Sequence, residues 1–253
     1  MSHHKVEVRN LLFSYPDGHE ALKKISFTIL HGESVGIIGA NGAGKSTILM
    51  LLMGILYPDS GDVLVGDVHL TKKTLPMIRQ RLGMVFQNPD EQLFMTNVYD
   101  DVAFGPRNYR LDEKEVDSRV MNALDLVGIS DLKDRAPFRL SGGEKRAASI
   151  ACVLSMQPDI LIMDEPTLAL DPKARRRVIN LLNSFDHTKI ITSHDLDLVL
   201  ETCQRVIVVK DGVIAADGKA KEILTNRFLL DECGLELPLT IQSCPVCGSV
   251  KNI

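Results

Sequence analysis

Gly39-Ala40-Asn41-Gly42-Ala43-Gly44-Lys45-Ser46 is the stretch on which the reading of this chain turns. It repeats, position for position, the Gly-x-x-x-x-Gly-Lys-Ser spacing of a phosphate-binding loop. In such a loop the glycines let the backbone curl until its N–H groups face phosphate oxygens, and the N-terminus of the following helix adds to the attraction. The flanks suit it. Ser34 to Gly39 is a short apolar run ending in glycine and reads as a buried strand, and Lys45 through Met53 reads as a helix. The plainer alternative is a glycine-rich turn that merely joins a strand to a helix. On the phosphate reading, Gly39, Asn41, Gly42, Ala43, Gly44, Lys45, Ser46 and Thr47 are expected to hold ATP. Lys45 then reaches the β- and γ-phosphates and Ser46 ligates Mg²⁺.

Outward from the loop, strand and helix signals alternate. Val6, Val8 and Leu11 begin an alternating pattern, Pro16-Asp17-Gly18 signals a turn, and Ile25 to Leu30 follows as a second strand. Gly61 to Leu70 predicts two short strands around Gly66-Asp67, and Leu82 to Gln87 a buried one. From Leu93 to Arg135 the pattern is helical, with Val116, Val120, Leu124 and Val127 at helical spacing behind an Asp112…Glu115 start. Asp159 to Asp164 and Lys189 to Ser193 read as further buried strands, each followed by helix-like sequence. Arg205 to Gly218 reads as a hairpin turning at Asp211-Gly212, and past about Leu224 no clear pattern remains. Strands alternating with helices predict a parallel sheet with its ligand at the strands' carboxyl ends. The glycine loop, Asp164 and Ser193-His194 all fall at such ends.

Asp164 and Glu165 close the apolar run Ile160-Leu161-Ile162-Met163. An acid there can hold the Mg²⁺ shell while the next carboxylate polarises the attacking water, which as general-base catalysis supplies about 10²–10⁴-fold. Two adjacent acids at a strand end otherwise serve as a solvated helix cap.

Bulk composition narrows the classes. The 253 residues are 45% hydrophobic and 25% charged, enough for a sizeable core. With Lys+Arg 29 against Asp+Glu 33 and no long basic run, nothing pushes towards nucleic acid or anionic lipid. No run of about 18 apolar residues predicts a membrane span, and the first residues lack the apolar core of a signal peptide. Five cysteines without a secretion signal favour reduced thiols.

Leu140-Ser141-Gly142-Gly143-Glu144 discriminates among phosphate-loop proteins. With it, residues 5 to about 225 resemble the ABC ATPase family in order. The resemblance implies an α/β fold: a P-loop NTPase core with a parallel sheet, an N-terminal antiparallel β subdomain, and a helical subdomain inserted at about 88–145. It implies that Ser141, Gly142, Gly143 and Glu144 face the γ-phosphate of ATP bound to another subunit. Gln87 resembles the glutamine that touches Mg²⁺ and water and senses the membrane partner. His194 resembles the switch histidine at the γ-phosphate, and Asp171, in Ala169-Leu170-Asp171, the loop that crosses the dimer interface. Leu168 departs from the small residue expected there. Tyr15 resembles the aromatic that stacks on adenine, although beside Pro16-Asp17-Gly18 it also suits a plain turn. Catalysis is thus assigned to Glu165, His194, Gln87 and Lys45, and the metal to Ser46, Gln87 and Asp164.

A narrower likeness runs through Phe86-Gln87-Asn88-Pro89-Asp90-Glu91-Gln92-Leu93-Phe94, Tyr15-Pro16-Asp17-Gly18 and Asp101-Val102-Ala103-Phe104-Gly105. These are similar to the energy-coupling-factor group, which includes cobalt, nickel and biotin importers. By that likeness, Leu93 to Phe104 forms part of the groove that receives the membrane subunit. It also implies a cytoplasmic, peripheral place at the cell membrane, integral partner subunits, solute binding by another subunit, a second ATPase subunit (a copy or a paralogue) and no nucleic-acid partner.

A soluble ABC ATPase is the rival. Repair-type members insert long coiled coils between P-loop and signature, where this chain has a compact segment, and translation-type members carry two cassettes. A P-loop kinase or GTPase fails on Leu140 to Glu144 and on His194, and a non-catalytic module fails on the intact Lys45 and Glu165. Residues 226–253 are expected to be an appended tail. Its Cys244-Pro245-Val246-Cys247 has zinc-ligand spacing but supplies half of a four-ligand site, and a pair of exposed thiols is the reading favoured.

Overall fold

The computed structural model describes residues 5–242. In chain order its elements are β1 (Val6–Ser14), β2 (Glu20–Ile29), β3 (Ser34–Ile38), α1 (Lys45–Leu52), β4 (Ser60–Val65), β5 (Val68–His69), α2 (Leu75–Arg81), β6 (Leu82–Val85), α3 (Val98–Asn108), α4 (Glu113–Val127), α5 (Gly142–Leu154), β7 (Ile160–Asp164), α6 (Pro172–Ser184), β8 (Thr188–Thr192), α7 (Leu196–Thr202), β9 (Arg205–Lys210), β10 (Val213–Lys219), α8 (Ala220–Leu224) and α9 (Arg227–Glu232). They form two compact units, one from the segments before and after residues 79–186 and the other from 79–186 itself.

In the first unit, β2, β1, β4 and β5 make an antiparallel sheet in that order. Val6 and Val8 are buried, and then the register slips between Val8 and Leu11, with Asn10 at φ 46. This bulge restores the phase, so Leu11 and Phe13 also point inward. The second sheet of this unit runs β10, β9, β3, β8, with β3 parallel to both β9 and β8 and β10 antiparallel to β9. Every residue of β3 and β8 is buried, as expected of strands covered on both faces. The β9–β10 hairpin turns at Asp211-Gly212, both with positive φ.

Although the sequence past Leu224 shows no pattern, this stretch has defined structure. The helix α9 buries Leu230, and a 3-10 turn at Leu239–Ile241 is tied down by Asp197 of α7. The Asp197 carboxylate accepts from the Leu239 and Thr240 amides, each at 3.0 Å. These contacts are non-local, so local patterning does not betray them.

In the second unit β6 and β7 pair in parallel, from Leu82 opposite Ile160 to Val85 opposite Met163. The helix α4 forms as its spacing predicts: Val116, Val120, Leu124 and Val127 are buried. Each such side chain contributes about 1.5–3 kcal/mol relative to leaving it exposed. Asp112 caps the start by accepting from the Lys114 and Glu115 amides, and Gly128 ends the helix in a left-handed turn at φ 72. The helical region starts later than the Leu93 expected. Asp101 accepts from the Phe94 and Met95 amides at 2.9 and 3.0 Å, holding that segment as a loop, and α3 begins only after the Asn97 cap. Likewise β6 stops at Val85 rather than at Gln87, because the Phe86 and Gln87 carbonyls turn to Arg146 instead of a neighbouring strand. No helix among the described residues is long and apolar enough to cross a membrane.

Candidate functional site

In the first unit the loop expected to hold phosphates leaves the carboxyl end of β3 and enters α1. Its glycines have a steric reason. A Cβ on Gly39 would run into the Val209 carbonyl oxygen, and one on Gly44, at φ 108, would lie 2.8 Å from the Ala21 carbonyl oxygen. Gly42, at φ 77, faces open space. Lys45 is buried, and its ammonium donates to the Gly39 and Ala40 carbonyls at 2.8 and 3.0 Å. It also lies 3.3 Å from His194 Nε2. The residue pair expected at the γ-phosphate is therefore together here: His194 sits just beyond β8, which pairs with β3.

Two further neighbours shape this end. The Asp195 carboxylate caps α7 by accepting from the Leu198 amide at 3.0 Å, which fixes the turn carrying His194. Tyr15 shares a 3.0 Å hydrogen bond with the hydroxyl of Thr47 and packs edge-on against Phe13. Its ring also lies parallel to the His19 imidazole at 6.4 Å. The aromatic is thus held to the first turn of the phosphate helix.

The second unit brings together the other group. Asp164 ends β7, Glu165 follows it, and both are buried. Glu165 is left-handed at φ 47, a conformation that costs a non-glycine residue about 1–3 kcal/mol unless its surroundings hold it. Its carbonyl accepts from the Leu168 amide at 3.2 Å and from Arg146 at 3.4 Å. Gln87 is exposed, two residues past β6, and its own carbonyl also accepts from Arg146.

Ser141 opens α5 as the N-cap of a capping box. Its hydroxyl accepts from the Glu144 amide at 3.3 Å while the Glu144 carboxylate accepts from the Ser141 amide at 2.7 Å. That backbone bond holds the Glu144 carboxyl below its ordinary value. Ser141 and Gly142 are exposed, so one helix start presents a hydroxyl and free backbone to solvent. A Cβ on Gly143 would lie 3.7 Å from the Asp171 carboxylate, so the signature and the Asp171 loop are neighbours. Asp171 caps α6 through the Lys173 and Ala174 amides, the latter bond chiefly lowering its pKa. Leu168, the departure from a small residue, is 50% exposed beside a left-handed Ala169.

The groups implied by the resemblance fit these residues. A nucleotide's phosphates suit the glycine loop, where two Cβ positions are closed by backbone and a third is open. The Ser46 hydroxyl in the first unit, and the Gln87 amide oxygen and Asp164 carboxylate in the second, are each oxygen donors of the kind a hard cation takes. Among the described residues there is no cluster of three or more His, Cys, Asp or Glu that could hold a metal ion. Cys244 and Cys247 lie outside the described residues. Among the other thiols, burial pushes Cys203 up to about 11, which keeps it a protonated, inert side chain.

Arg146 is the residue that sequence reasoning missed. The run Glu144-Lys145-Arg146 looks like a solvated charged face, but Arg146 shares the buried stripe of α5 with Ile150 and Val153. An arginine on an apolar stripe was the available signal.

Comparison with known proteins gives the class. Residues 22–168 match the family model described as "ABC transporter". A Geobacter sulfurreducens protein, provisionally named as an ABC transporter ATP-binding protein, is 59% identical over 98% of this chain and 100% of its own length. The chain belongs to the ABC transporter family and is an ATP-binding subunit that hydrolyses ATP. Among its relatives, an energy-coupling factor transporter ATP-binding protein of Methanosphaera stadtmanae is 46% identical over 92% of this chain and 86% of that one. The structure of cbiO1 from Clostridium perfringens, described as part of the ABC transporter complex cbiONQ, superposes with TM-score 0.81. It is 39% identical and covers 92% of this chain and 94% of its own. A dimeric ATP-binding cassette in a post-hydrolysis state with ADP and Pi superposes with TM-score 0.78 at 28% identity, over 85% of this chain and 98% of that one.

Proposed function

We propose that this chain is the ATPase subunit of an energy-coupling-factor-type importer, which energises uptake of a metal ion or vitamin from the cytoplasmic face of the membrane. The observation that carries the coupling half of this reading is an exposed aromatic pair. Phe94 and Phe104 meet edge to face with ring centroids 4.9 Å apart, and are 62% and 40% exposed. Exposed apolar surface of this kind marks a place for a partner, and it falls within the Leu93–Phe104 stretch that resembles the groove for the membrane subunit. The buried Asp101 supports it from beneath by holding the Phe94 amide. The energy-coupling-factor name of one relative and the cbiONQ assembly of another support the same reading.

Two cassettes, copies or paralogues, sandwich ATP between the glycine loop of one and Ser141–Glu144 of the other, with Asp171 at the seam. Ser46, Gln87 and Asp164 would hold Mg²⁺, which would neutralise phosphate charge. Lys45 binds the β- and γ-phosphates, Tyr15 stacks on the adenine, Glu165 polarises the water, and His194 orients it at the γ-phosphate. Solute selection belongs to another subunit. The test is to purify the tagged chain from membranes and identify what comes with it. The expected result is integral transporter subunits whose retention is lost in a Phe94→Ser, Phe104→Ser double variant that still binds ATP. Retention unchanged in that variant, or purification with soluble repair or translation factors, would sink the reading.

A further inference from the structure

Arg146 is 2% exposed, and among the largest side chains that are fully buried. Its guanidinium donates to the Phe86 carbonyl at 2.6 Å, to the Gln87 carbonyl, and to the Glu165 carbonyl at 3.4 Å, while its Nε finds no partner. A buried arginine is costly to desolvate and persists only where fixed dipoles or opposite charge receive it. Burial lowers its pKa, and the charges of Asp164 and Glu165 act in the opposite direction. A plain structural staple would account for a buried guanidinium on any set of carbonyls. Here, however, two acceptors belong to the loop of Gln87 and the third to the left-handed backbone of Glu165. The donor itself stands on the helix that Ser141 begins. One rigid planar group thus ties its own helix to two other segments, and each of the three bears a residue assigned to the ATP site.

We propose that Arg146 is a positioning residue that ties the placement of the Glu165 carboxylate to the conformation of the Gln87 loop. A shift of Phe86 and Gln87 moves their carbonyls, the guanidinium follows because its planar fork cannot pivot about one bond alone, and the Glu165 carbonyl loses or regains its second support, beside the Leu168 amide. The charge stays on Arg146 throughout. What changes is the direction of a carboxylate whose backbone is already in a sparsely populated conformation. The proposal rests on Glu165 being the water-polarising group, as argued above.

The test uses the full chain in its assembled complex. Arg146→Lys keeps the charge but replaces the planar fork with a point donor. It is expected to lower kcat about 10²-fold, as a misplaced catalytic group does, with the KM for ATP within about 3-fold. A kcat within about 2-fold of the parent, or a loss in kcat matched by the loss in ATP affinity, would overturn it. Asn88→Ala provides a readout that does not require changing Arg146. Asn88 is exposed and its side chain caps the Pro89–Glu91 turn by accepting from the Asp90 amide at 3.1 Å. Hydrogen exchange in this variant is expected to quicken at residues 86–92 and, through Arg146, at the Leu168 amide that also bonds Glu165. Faster exchange confined to 86–92 would overturn the coupling even if the lysine variant does not fold. Glu165→Gln is assayed alongside: full hydrolysis there sinks the role of Glu165 itself, whereas the exchange result speaks only to Arg146.

Discussion

The two units hold their candidate functional residues on different principles. In the unit formed by the segments before and after residues 79–186, the phosphate loop is one contiguous run, and its geometry comes from backbone. Gly39 and Gly44 are pressed against other backbone, Lys45 is folded onto the loop's own carbonyls, and His194 is delivered by a strand next door. In residues 79–186 the important groups come from separated segments, at Gln87, Ser141–Glu144, Glu165 and Asp171. There one side chain, Arg146, joins the Gln87 and Glu165 segments, while local helix caps hold Ser141 and Asp171. The first arrangement centres on one contiguous loop, and the second is assembled from segments far apart in the chain.

The largest test of that contrast is chemical. Glu165→Gln removes the carboxylate but leaves the backbone clamp and the whole phosphate loop. Turnover is expected to fall about 10²–10⁴-fold while ATP stays bound and a dimer accumulates, read by phosphate release and size-exclusion chromatography with ATP. A monomer hydrolysing at the parent rate would break the division of labour. Next in size is Ser141→Arg, which places a bulky cation at the exposed helix start. Hydrolysis is expected to drop about 10²-fold with ATP affinity of the isolated chain unchanged. Undiminished hydrolysis would mean that this helix start meets no nucleotide.

A smaller effect is expected where the fold depends on backbone fit. In Gly44→Ala the new Cβ would lie 2.8 Å from the Ala21 carbonyl oxygen and 2.8 Å from Leu22 Cδ2, at φ 108. The strain is about 1–3 kcal/mol, so a Tm lowered by a few degrees is expected together with weaker ATP binding. An unchanged melting curve would show that the loop yields more easily than its contacts suggest.

This contrast also explains what could be read from the residues alone. The phosphate loop and the stripe of three valines and a leucine on α4 were legible because each is local: a contiguous motif in one case and a 3.6-residue period in the other. Asp164-Glu165 and Leu140–Glu144 were legible as pieces. What joins them was not, because Arg146 sits in a charged run and its partners are carbonyls some 60 positions earlier and 19 positions later. Backbone acceptors leave no mark on side-chain identity. The same holds for Asp197, whose bonds to the Leu239 and Thr240 amides give defined structure to a stretch without pattern, and for Asp101, which keeps the Phe94 segment out of the helix expected there.

The smallest effect tests whether the caps in residues 79–186 are structural or catalytic. The Glu144 carboxylate is held below its ordinary value of 4.5, first by the Ser141 amide. A carboxyl with a depressed folded-state pKa contributes stability above its unfolded value, and this is lost as pH falls through the folded one. Glu144→Gln can still accept from the Ser141 amide, as glutamine does in a capping box, but no longer titrates. The variant is therefore expected to match the parent's Tm near neutrality and to lose less stability than the parent on acidification below the ordinary carboxylate range. ATP hydrolysis at neutral pH should be nearly unchanged. A large loss of hydrolysis with an unaltered acid profile would move Glu144 from cap to chemistry, and would make the helix start of α5 a charged participant rather than a frame for Ser141.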